Sequence, residues 1–360
     1  MTKRNPTEEL DAAVTAMLTE RSSPLSRVSP PLTELVRIAA LLRDLPRAVF
    51  KARLAAALSS AAAPASERGP AAANAGPVLV TGDQITARLE EIAKGPTLEP
   101  YDLRTALTDL PELTMRFFTA LDQCTLGVSY FSSSAHWERH PAGDELLHVL
   151  EGDMEVTTLT DSGPVQSTVR AGSIFICPRG LWHQLRPLSP VSLFYATPGE
   201  GIEHSPADQP PPQPARRQRR GSASQGATAA TLVAQDIRAA LSATPPLTIT
   251  ATTTAAQADA SFRQLTTFNR CTVNVGRFSG QTPWERHRKG DELLHILEGQ
   301  VDITVLADGG PVQRTIDAGS VFVCPRGLWH RQYSRDGVTA LYATPTPSDI
   351  SLAEDPRHNA

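Results

Sequence analysis

The sequence predicts a mainly β protein in which two tandem barrel domains follow a helical N-terminal extension. One observation is an internal repeat: His140–Gly152 returns as His287–Gly299, and Cys177–His183 returns as Cys324–His330. Both segments repeat at an offset of 147 residues, which is 287 minus 140 and also 330 minus 183. A repeat this long indicates two tandem domains, because solenoid repeats are much shorter. The other observation is a series of short β-rich runs between Gly, Pro and Asp-Ser-Gly turns, which is typical of β sandwiches and barrels.

The composition fits packed globular domains with no general attraction to nucleic acid or membranes. The 360 residues include 40% hydrophobic side chains and carry a formal net charge of −4. No stretch approaches the roughly 20 apolar residues of a membrane span. The first residues are basic but have no apolar core behind them. We therefore expect no secretory signal, a cytoplasmic protein, and neither a nucleic-acid nor a membrane partner.

Changes of pattern along the chain predict its domain boundaries. Apolar Leu10, Val14 and Met17 recur at helical spacing near the start, and the run 209–220 has the composition of a linker. We expect a helical extension over 1–60, a linker over 61–77, a first barrel over 78–204, a disordered Pro/Arg-rich linker over 205–230, a second barrel over 231–346 and a loose tail over 347–360. The arginines of the second linker are interpreted as a solubilising tether.

The four cysteines follow the same repeat. Cys124 and Cys177 recur as Cys271 and Cys324, again 147 residues later. None lies in a Cys-x-x-Cys pair, so a zinc ribbon or a thioredoxin-like motif is not indicated. Buried thiols in strands are the expected role, because a disulfide is improbable in a reducing compartment.

Histidines and glutamates in the repeat have the spacing of metal ligands. Glu138 and His140 are two residues apart and therefore face the same side of an extended strand. Glu145 follows a Pro-Ala-Gly-Asp turn, and His183 follows the Pro178-Arg-Gly turn on a later strand. The second half repeats this set as Glu285, His287, Glu292 and His330. Two imidazoles and two carboxylates converging inside a barrel suit a first-row divalent metal ion.

These residues resemble the two sequence motifs of the cupin superfamily, G-x5-H-x-H-x(3,4)-E-x6-G and G-x5-P-x-G-x2-H-x3-N. The first half matches them at His140, Glu145, Gly152, Gly172, Pro178, Gly180 and His183. The second half matches them at His287, Glu292, Gly299, Gly319, Pro325, Gly327 and His330. Both motifs occur in order and twice, so the chain resembles a two-domain bicupin over about residues 78–200 and 230–346.

The resemblance implies two double-stranded β-helix (jelly-roll) barrels, each with one divalent metal ion in its mouth. The ligands it implies are His140, Glu145 and His183, and in the second half His287, Glu292 and His330. The chain departs from the motif at Glu138 and Glu285, where the family has a histidine. A glutamate there keeps a four-ligand site possible and favours Fe(II) or Mn(II). It could instead act as a base, orient a substrate or pair with Arg139 or Arg179.

Other repeated residues have two possible roles. Each tryptophan flanks a predicted ligand, so it could pack at the barrel rim or form an apolar wall for a substrate; these are Trp137, Trp182, Trp284 and Trp329. Arg179 and Arg326 could fix the turns before His183 and His330 or hold a substrate carboxylate.

Four further histidines receive weaker expectations. If Glu145 points inward, strand alternation turns His148 outward, so His148 and its counterpart His295 should pack outside the barrels, where the two halves meet. His136 is expected at the entrance. His204 falls in the linker region and is given no role.

The leading hypothesis is a metal-dependent dioxygenase acting on a small organic molecule, with the two barrels packed on each other and homo-oligomers possible. A cupin isomerase or lyase with Glu138 and Glu285 as catalytic bases is a second possibility. A non-enzymatic ligand-binding or sensory protein is a third, because a fold does not fix a function.

Overall fold

The computed structural model describes residues 96–199, 201–205 and 232–359. The predicted helical extension over 1–60 and linker over 61–77 lie outside these residues, as does almost all of the linker over 205–230. Within the described residues no helix is both long and apolar enough to span a membrane.

The first half of the described chain is almost entirely β. One short helix, α1 (Leu103–Leu107), follows strand β1. The strands are β1 (Tyr101–Asp102), β2 (Thr114–Leu121), β3 (Cys124–Phe131), β4 (Trp137–Arg139), β5 (Glu145–Glu151), β6 (Asp153–Thr160), β7 (Gly163–Arg170), β8 (Ser173–Cys177), β9 (His183–Pro187), β10 (Val191–Pro198) and β11 (Glu203–Ser205).

The second half repeats this order. Its helices are α2 (Ile237–Ser242), α3 (Ala255–Ser261) and a closing 3-10 turn, Pro356–Asn359. Its strands are β12 (Gln235–Asp236), β13 (Leu247–Ile249), β14 (Phe262–Phe268), β15 (Cys271–Gln281), β16 (Trp284–His287), β17 (Glu292–Ala307), β18 (Gly310–Asp317), β19 (Ser320–Cys324), β20 (Trp329–Pro345) and β21 (Ser348–Ser351).

Each half is a jelly-roll barrel. In the first, a six-stranded sheet in the order β12-β8-β5-β10-β3-β2 accompanies a five-stranded sheet in the order β11-β4-β9-β6-β7. In the second, the 16-residue β17 and the 17-residue β20 continue through both layers and join them into one ten-stranded sheet. The predicted fold of two tandem barrels is thus confirmed.

A glycine makes the turn that separates β5 from β6. Gly152 has φ of 80°, a left-handed conformation that favours glycine, and a Cβ there would lie 2.0 Å from the carbonyl oxygen of Pro190. Gly299 repeats both features, with φ of 79° and the carbonyl oxygen of Gly337 only 2.2 Å from where a Cβ would stand. The tight turn predicted from the motif is present in both barrels.

The barrels exchange their leading strands. Strand β1, which precedes the first barrel, pairs with β19 of the second, and the amide of Leu103 donates to the carbonyl of Gly319 at 3.0 Å. Strand β12, which precedes the second barrel, pairs with β8 of the first, and Ile237 donates to Gly172 at 3.1 Å. The strand pairing therefore crosses the expected boundaries at 204 and 231.

The contact between the barrels is a continuous hydrophobic core. Strand β5 is buried on both faces: Leu147 and Val149 point into the first barrel, while Leu146 packs in the cluster between the barrels. The second half contributes eleven buried side chains to that same cluster, namely Ile237, Leu241, Phe268, Cys271, Val273, Val275, Leu293, Val321, Val323, Leu341 and Ala343. The barrels pack on each other, as predicted.

The segment after the second barrel differs from the loose tail expected over 347–360. Strand β21 pairs along β16, with Glu285 opposite Ile350 and His287 opposite Ser348. This pairing satisfies backbone groups of a strand that would otherwise form a sheet edge, which gives a polar segment a reason to be ordered.

Candidate metal centres

Four side chains of the first barrel meet although they come from separate strands. Glu138 lies in β4 opposite His183, the first residue of β9. His140 follows β4 directly, and Glu145 begins β5. One ligand atom from each of the four lies within 4.8 Å of the others. The sequence-predicted convergence is therefore present in the first barrel.

The distances in this cluster are short and centre on one carboxylate oxygen. Oε2 of Glu145 lies 3.2 Å from Nε2 of His140 and 3.2 Å from Nε2 of His183. Oε1 of Glu138 lies 3.6 Å from Nε2 of His183. The side chain of Glu138 is 16% exposed, whereas that of His183 is 1% exposed, so Glu138 forms the open side of the cluster.

The second barrel repeats the arrangement. Oε2 of Glu292 lies 3.3 Å from Nε2 of His287 and 3.0 Å from Nε2 of His330. Oε1 of Glu285 lies 3.5 Å from Nε2 of His330. The two imidazole rings are 5.3 Å apart, compared with 5.2 Å in the first barrel. Each barrel can hold one divalent metal ion.

Two histidine nitrogens support this assignment. Among the described residues, Nε2 of His140 and Nε2 of His287 are buried without a well-aligned hydrogen bond, although they lie 3.2 and 3.3 Å from a glutamate oxygen. A buried donor or acceptor left unpaired costs about 1–3 kcal/mol, whereas a metal ligand needs no hydrogen-bond partner. Ligands at right angles around an octahedral ion with bonds of about 2.1 Å lie about 3 Å apart, close to the spacing seen here. The donor set therefore fits a divalent ion.

The electrostatics of the cluster also favour a cation. Burial raises the pKa of Glu145, but the charges and hydrogen bonds of His140 and His183 outweigh burial and hold the pKa well below its usual range. Burial lowers the pKa of His183, but Cys177 and the two carboxylates outweigh burial and raise it well above its usual range. A divalent ion would satisfy the same carboxylates and release protons from the imidazoles.

Outer hydrogen bonds fix the ligands, and the sequence analysis did not predict them. The hydroxyl of Thr197 donates to Oε1 of Glu145, and the hydroxyl of Thr344 donates to Oε1 of Glu292 at 2.6 Å. Such partners orient metal ligands. The signal that could have found them is the repeated Ala-Thr-Pro at the ends of β10 and β20.

An aspartate before each central glutamate ties the ligand segments together. The carboxylate of Asp144 accepts from the amide of Arg179 and from the amide of Asn269, each at 2.8 Å. Asn269 belongs to the second barrel, so the turn before Glu145 is held partly by the other half of the molecule. Asp291 accepts in the same way from the amide of Arg326 at 2.8 Å and from the amide of Asp122 at 2.7 Å.

The tryptophans predicted for a substrate pocket are buried in side-chain packing. The guanidinium of Arg139 lies over Trp182 at 4.9 Å. In the second barrel Arg286 covers Trp329 and Arg331 covers Trp284, each at 4.4 Å. All four side chains are less than 10% exposed, namely Trp137 6%, Trp182 3%, Trp284 4% and Trp329 7%. This geometry favours the rim-packing interpretation over an apolar substrate wall.

The two arginines predicted beside the ligands serve the turns. Nε of Arg179 donates to the carbonyl of Pro141 at 2.7 Å, and its amide is bound by Asp144. The amide of Arg326 is bound by Asp291. The side-chain contact of Arg179 thus supports the alternative in which this arginine fixes its turn, whereas the contact of Arg326 involves only its backbone.

A small cavity of about 40 Å³ adjoins the cluster of the first barrel. Glu138 and Glu145 form its polar end. The rest of the wall is mainly apolar, and Ser129, Tyr195 and Thr197 line it beside Met115, Phe131, Ala135, Leu147, Leu185, Leu193 and Ile202. A metal ion held by the four ligands would therefore border a mainly apolar cavity.

The remaining histidines are placed by strand alternation and register. His148 and His295 are buried outside the barrels, with Nδ1 atoms 3.3 Å apart, so the predicted contact between the halves is confirmed. His204 lies in β11 rather than in a linker, and its Nδ1 is 3.9 Å from Oε2 of Glu138. The expected position of His204 in a linker is therefore corrected. The four cysteines are buried in strands, as expected.

Comparison with known families agrees with this fold and site. The model of the Cupin domain matches residues 131–196, and the model of the EutQ-like cupin domain matches residues 269–340. Each match contains the two histidines and the central glutamate of one cluster. The chain belongs to the cupin superfamily and is a bicupin, with one cupin domain in each half.

Curated relatives and solved structures are more distant. Germin-like protein 1-1 of Oryza sativa subsp. japonica is 31% identical over 93 residues, covering 20% of this chain and 43% of that protein. Germin-like protein subfamily 2 member 4 of Arabidopsis thaliana is 28% identical over 118 residues, covering 30% and 54%. The chain thus spans about half the length of the curated relatives it matches.

Among solved structures, a mutant of Bacillus subtilis oxalate decarboxylase has a TM-score of 0.45 and 12% identity, covering 82% of this chain and 93% of that chain. A cupin 2 conserved barrel domain protein from Leptotrichia buccalis has a TM-score of 0.43 and 10% identity, covering 70% and 96%.

Proposed function

We propose that the protein is a metal-dependent dioxygenase acting on a small organic molecule. The observation that carries this proposal is the convergence of two imidazoles and two carboxylates beside an apolar cavity. Fe(II) or Mn(II), which suit this oxygen and nitrogen donor set, would supply the redox chemistry and the open binding positions. Both atoms of dioxygen would enter the product and the substrate would supply all four electrons, so no separate reductant is required.

The side chains of the cluster would divide the work. His140, Glu145 and His183 are almost fully buried and are suited to hold the ion in a fixed position. Glu138 is more exposed and lines the cavity, so it could complete the ligand set or hold a proton next to the substrate. The apolar wall would exclude water from the reacting atoms, which strengthens every charge interaction inside the cavity.

An isomerase or lyase is the second candidate, and one contact favours it. Nδ1 of His204, whose side chain is 39% exposed, lies 3.9 Å from Oε2 of Glu138. With a bridging water or a closer approach of the two side chains, a base at Glu138 could pass a proton to His204 and on to solvent. The test compound is a small 2-hydroxy acid, 2-hydroxyisovalerate, in heavy water. Under this alternative the parent protein incorporates deuterium at C2 of this compound, and Glu138→Gln abolishes the incorporation. Under the dioxygenase proposal the parent protein shows no such incorporation.

Nitric oxide tests the dioxygenase proposal, because it binds Fe(II) where dioxygen would bind. The protein is loaded with Fe(II) without air, exposed to nitric oxide and examined by electron paramagnetic resonance. We expect a high-spin iron–nitrosyl signal whose intensity follows the bound iron. The double variants His140→Ala/His183→Ala and His287→Ala/His330→Ala should each lose the share that comes from one barrel.

His136→Ala is the matched control, since His136 is a histidine of the same region that belongs to neither cluster. It should keep the full signal. Iron bound in both clusters without any nitrosyl signal would contradict the proposal, because no position would then be open to dioxygen.

A further inference from the structure

Except for their last strands, β11 and β21, the two barrels have strand pairs in the same register, so their interiors can be compared position by position. Met115 pairs with Ser129 in the first barrel, and Phe262 pairs with Gly276 in the second. Leu185 pairs with Val156, and Gln332 pairs with Ile303. Every pair repeats at the offset of 147 residues. Differences between the two interiors therefore arise from the side chains and not from the strand register.

At two positions of the cavity wall, those of Met115 and Leu185, the second barrel carries a bulkier or a more polar side chain. The ring of Phe262 lies against Gly276, since a Cβ on that glycine would be 2.5 Å from it. It also packs on Phe278 and Tyr342, with ring centroids 6.1 and 5.8 Å away. Phe262 thus occupies interior space that Met115 leaves open in the first barrel.

The position of Leu185 shows the same contrast. Its counterpart Gln332 is 2% exposed, and its Oε1 accepts a hydrogen bond from the hydroxyl of Tyr342 at 3.2 Å. In the first barrel Leu185 offers only methyl groups to the cavity. An apolar substrate group would therefore meet an apolar wall in the first barrel and a buried amide in the second.

The last strands of the two barrels differ next to a ligand. Ser348, opposite His287 in the second barrel, places its hydroxyl oxygen 3.0 Å from Nδ1 of that histidine. By the pairing of β11 with β4, the corresponding residue of the first barrel is Ile202, which lines the cavity. Nδ1 of His140 makes no hydrogen bond within the described part of the chain. His287 therefore has a hydroxyl partner from the last strand of its barrel, whereas the equivalent His140 has the apolar Ile202 at that position.

We propose that the first barrel is the substrate site and takes a short aliphatic acid, while the second barrel holds its ion without admitting that substrate. This inference rests on the proposed function, because it requires a metal ion in the first barrel. A cavity of about 40 Å³ has room for about three water-sized groups. A carboxylate or hydroxy-carboxylate would bind the metal ion, and a branched three-carbon body would fill the cavity.

The charge of the wall limits the substrate class further. No lysine or arginine is among the described residues that line the cavity. A second carboxylate on the substrate would thus be buried among apolar groups without a cationic partner, which is strongly unfavourable. The site therefore selects monocarboxylates over dicarboxylates of similar size.

Isobutyrate and azide test this inference in protein loaded with Mn(II). Water-proton relaxation falls when an anion displaces water from the ion, so it reports binding without catalysis. His287→Ala/His330→Ala keeps only the first cluster, and His140→Ala/His183→Ala keeps only the second. We expect azide, with three atoms, to lower the relaxation in both variants. Isobutyrate should do so only where the first cluster remains, and succinate in neither.

Leu185→Gln in the first-barrel background should weaken isobutyrate binding about tenfold and leave azide binding unchanged, because only the apolar contact is lost. Leu188→Gln makes the same exchange at an exposed leucine outside the cavity wall, so it is the matched control and should leave isobutyrate binding unchanged. Unchanged azide binding also shows that a variant has folded and holds its ion.

Two results would overturn this inference and leave the proposed function intact. One is equal binding of isobutyrate by the two barrels. The other is a first barrel that binds azide but not isobutyrate. Absence of bound Mn(II) by elemental analysis would overturn both.

Discussion

Nδ1 of His148 and Nδ1 of His295 lie 3.3 Å apart in the buried contact between the two barrels. At this distance one ring nitrogen can donate a hydrogen to the other, which two neutral rings achieve when they are opposite tautomers. Burial lowers the pKa of His148 to about 4. Burial and the neighbouring His148 lower the pKa of His295 well below its usual range. The contact therefore contains two imidazoles that resist protonation.

The histidine pair predicts a loss of stability in mild acid. The unfolded chain takes up protons near pH 6.5, while the folded His148 does so only near pH 4. Stability is therefore complete above about pH 6.5 and falls as the pH drops toward 4. The shift of His148 alone corresponds to about 3 kcal/mol. Urea unfolding at pH 7.5 and 5.0 measures the change.

His148→Phe/His295→Phe should flatten this pH dependence, since the phenyl rings fill similar space and do not titrate. His136→Phe is the control and should keep the parent slope. An identical slope in the double variant would show that acid sensitivity arises elsewhere in the protein.

The two equivalent turns at the contact between the barrels carry different residues, an aspartate in the first half and an asparagine in the second. This difference yields a second prediction. Asp122 faces Asp291, whereas the equivalent Asn269 faces Asp144. Burial and the charge of Asp291 raise the pKa of Asp122 to about 6. A raised acid pKa destabilises the folded state above pH 6, and that penalty disappears as the pH falls below about 4.

Asp122→Asn should therefore stabilise the protein at pH 7.5 and leave it unchanged near pH 4. The gain should be at most about 1 kcal/mol, because Asp122 is partly exposed and solvent screens the repulsion. Asn and Asp both tolerate the left-handed φ of 51° found here. Urea unfolding of Asp122→Asn and of the parent at the two pH values measures this gain. A variant less stable than the parent at pH 7.5 would show that Asp122 and Asp291 do not destabilise the folded state by repulsion.

Asn269→Asp makes the opposite exchange and tests coupling between the barrels. It places a second carboxylate beside Asp144. The carboxylate of Asp144 accepts from the amide of Arg179 and so connects the segment before Glu145 to the turn before His183. We expect metal affinity of the first barrel to fall about tenfold, although Asn269 belongs to the second. Chelator competition in the His287→Ala/His330→Ala background measures it. The same substitution should leave the second cluster unaffected, and an effect confined to that cluster would contradict the account.

Thr197→Val and Thr344→Val test the hydroxyls behind the central glutamates. Each removes a hydrogen bond to Glu145 or Glu292 while keeping the shape of the side chain. Metal affinity should fall about 10- to 100-fold in the barrel that carries the change. Thr125→Val is the control, since Thr125 lies opposite Thr197 and bonds to its carbonyl instead. Equal affinities in all three variants would exclude an orienting role.

Much of the fold and site could be predicted because the repeat provides two independent copies of each pattern. The period of two along β5 placed Leu147 inward and His148 outward, and the structure has both there. The spacing of Glu138, His140 and Glu145 likewise placed three ligands together before the partner strand of His183 was known.

Other features depend on tertiary contacts that leave little local signal. Strands β1 and β12 are only two residues long and pair with the opposite barrel. They are too short to show the alternation of apolar and polar residues that predicts a strand. The position of His204 in a strand was missed because the repeat shifts there: Glu203 pairs with Arg139, and Asp349 pairs with Arg286, an offset of 146 rather than 147. A comparison in constant register cannot align these last strands.

The metal content of the purified protein tests the central claim most directly. Elemental analysis should find about two divalent first-row ions per chain, one for each cluster of four ligands. Each double variant, His140→Ala/His183→Ala or His287→Ala/His330→Ala, should retain about one. Two results would contradict the account. One is negligible metal in the parent protein after supply of Mn(II) or Fe(II). The other is an unchanged metal content in both double variants.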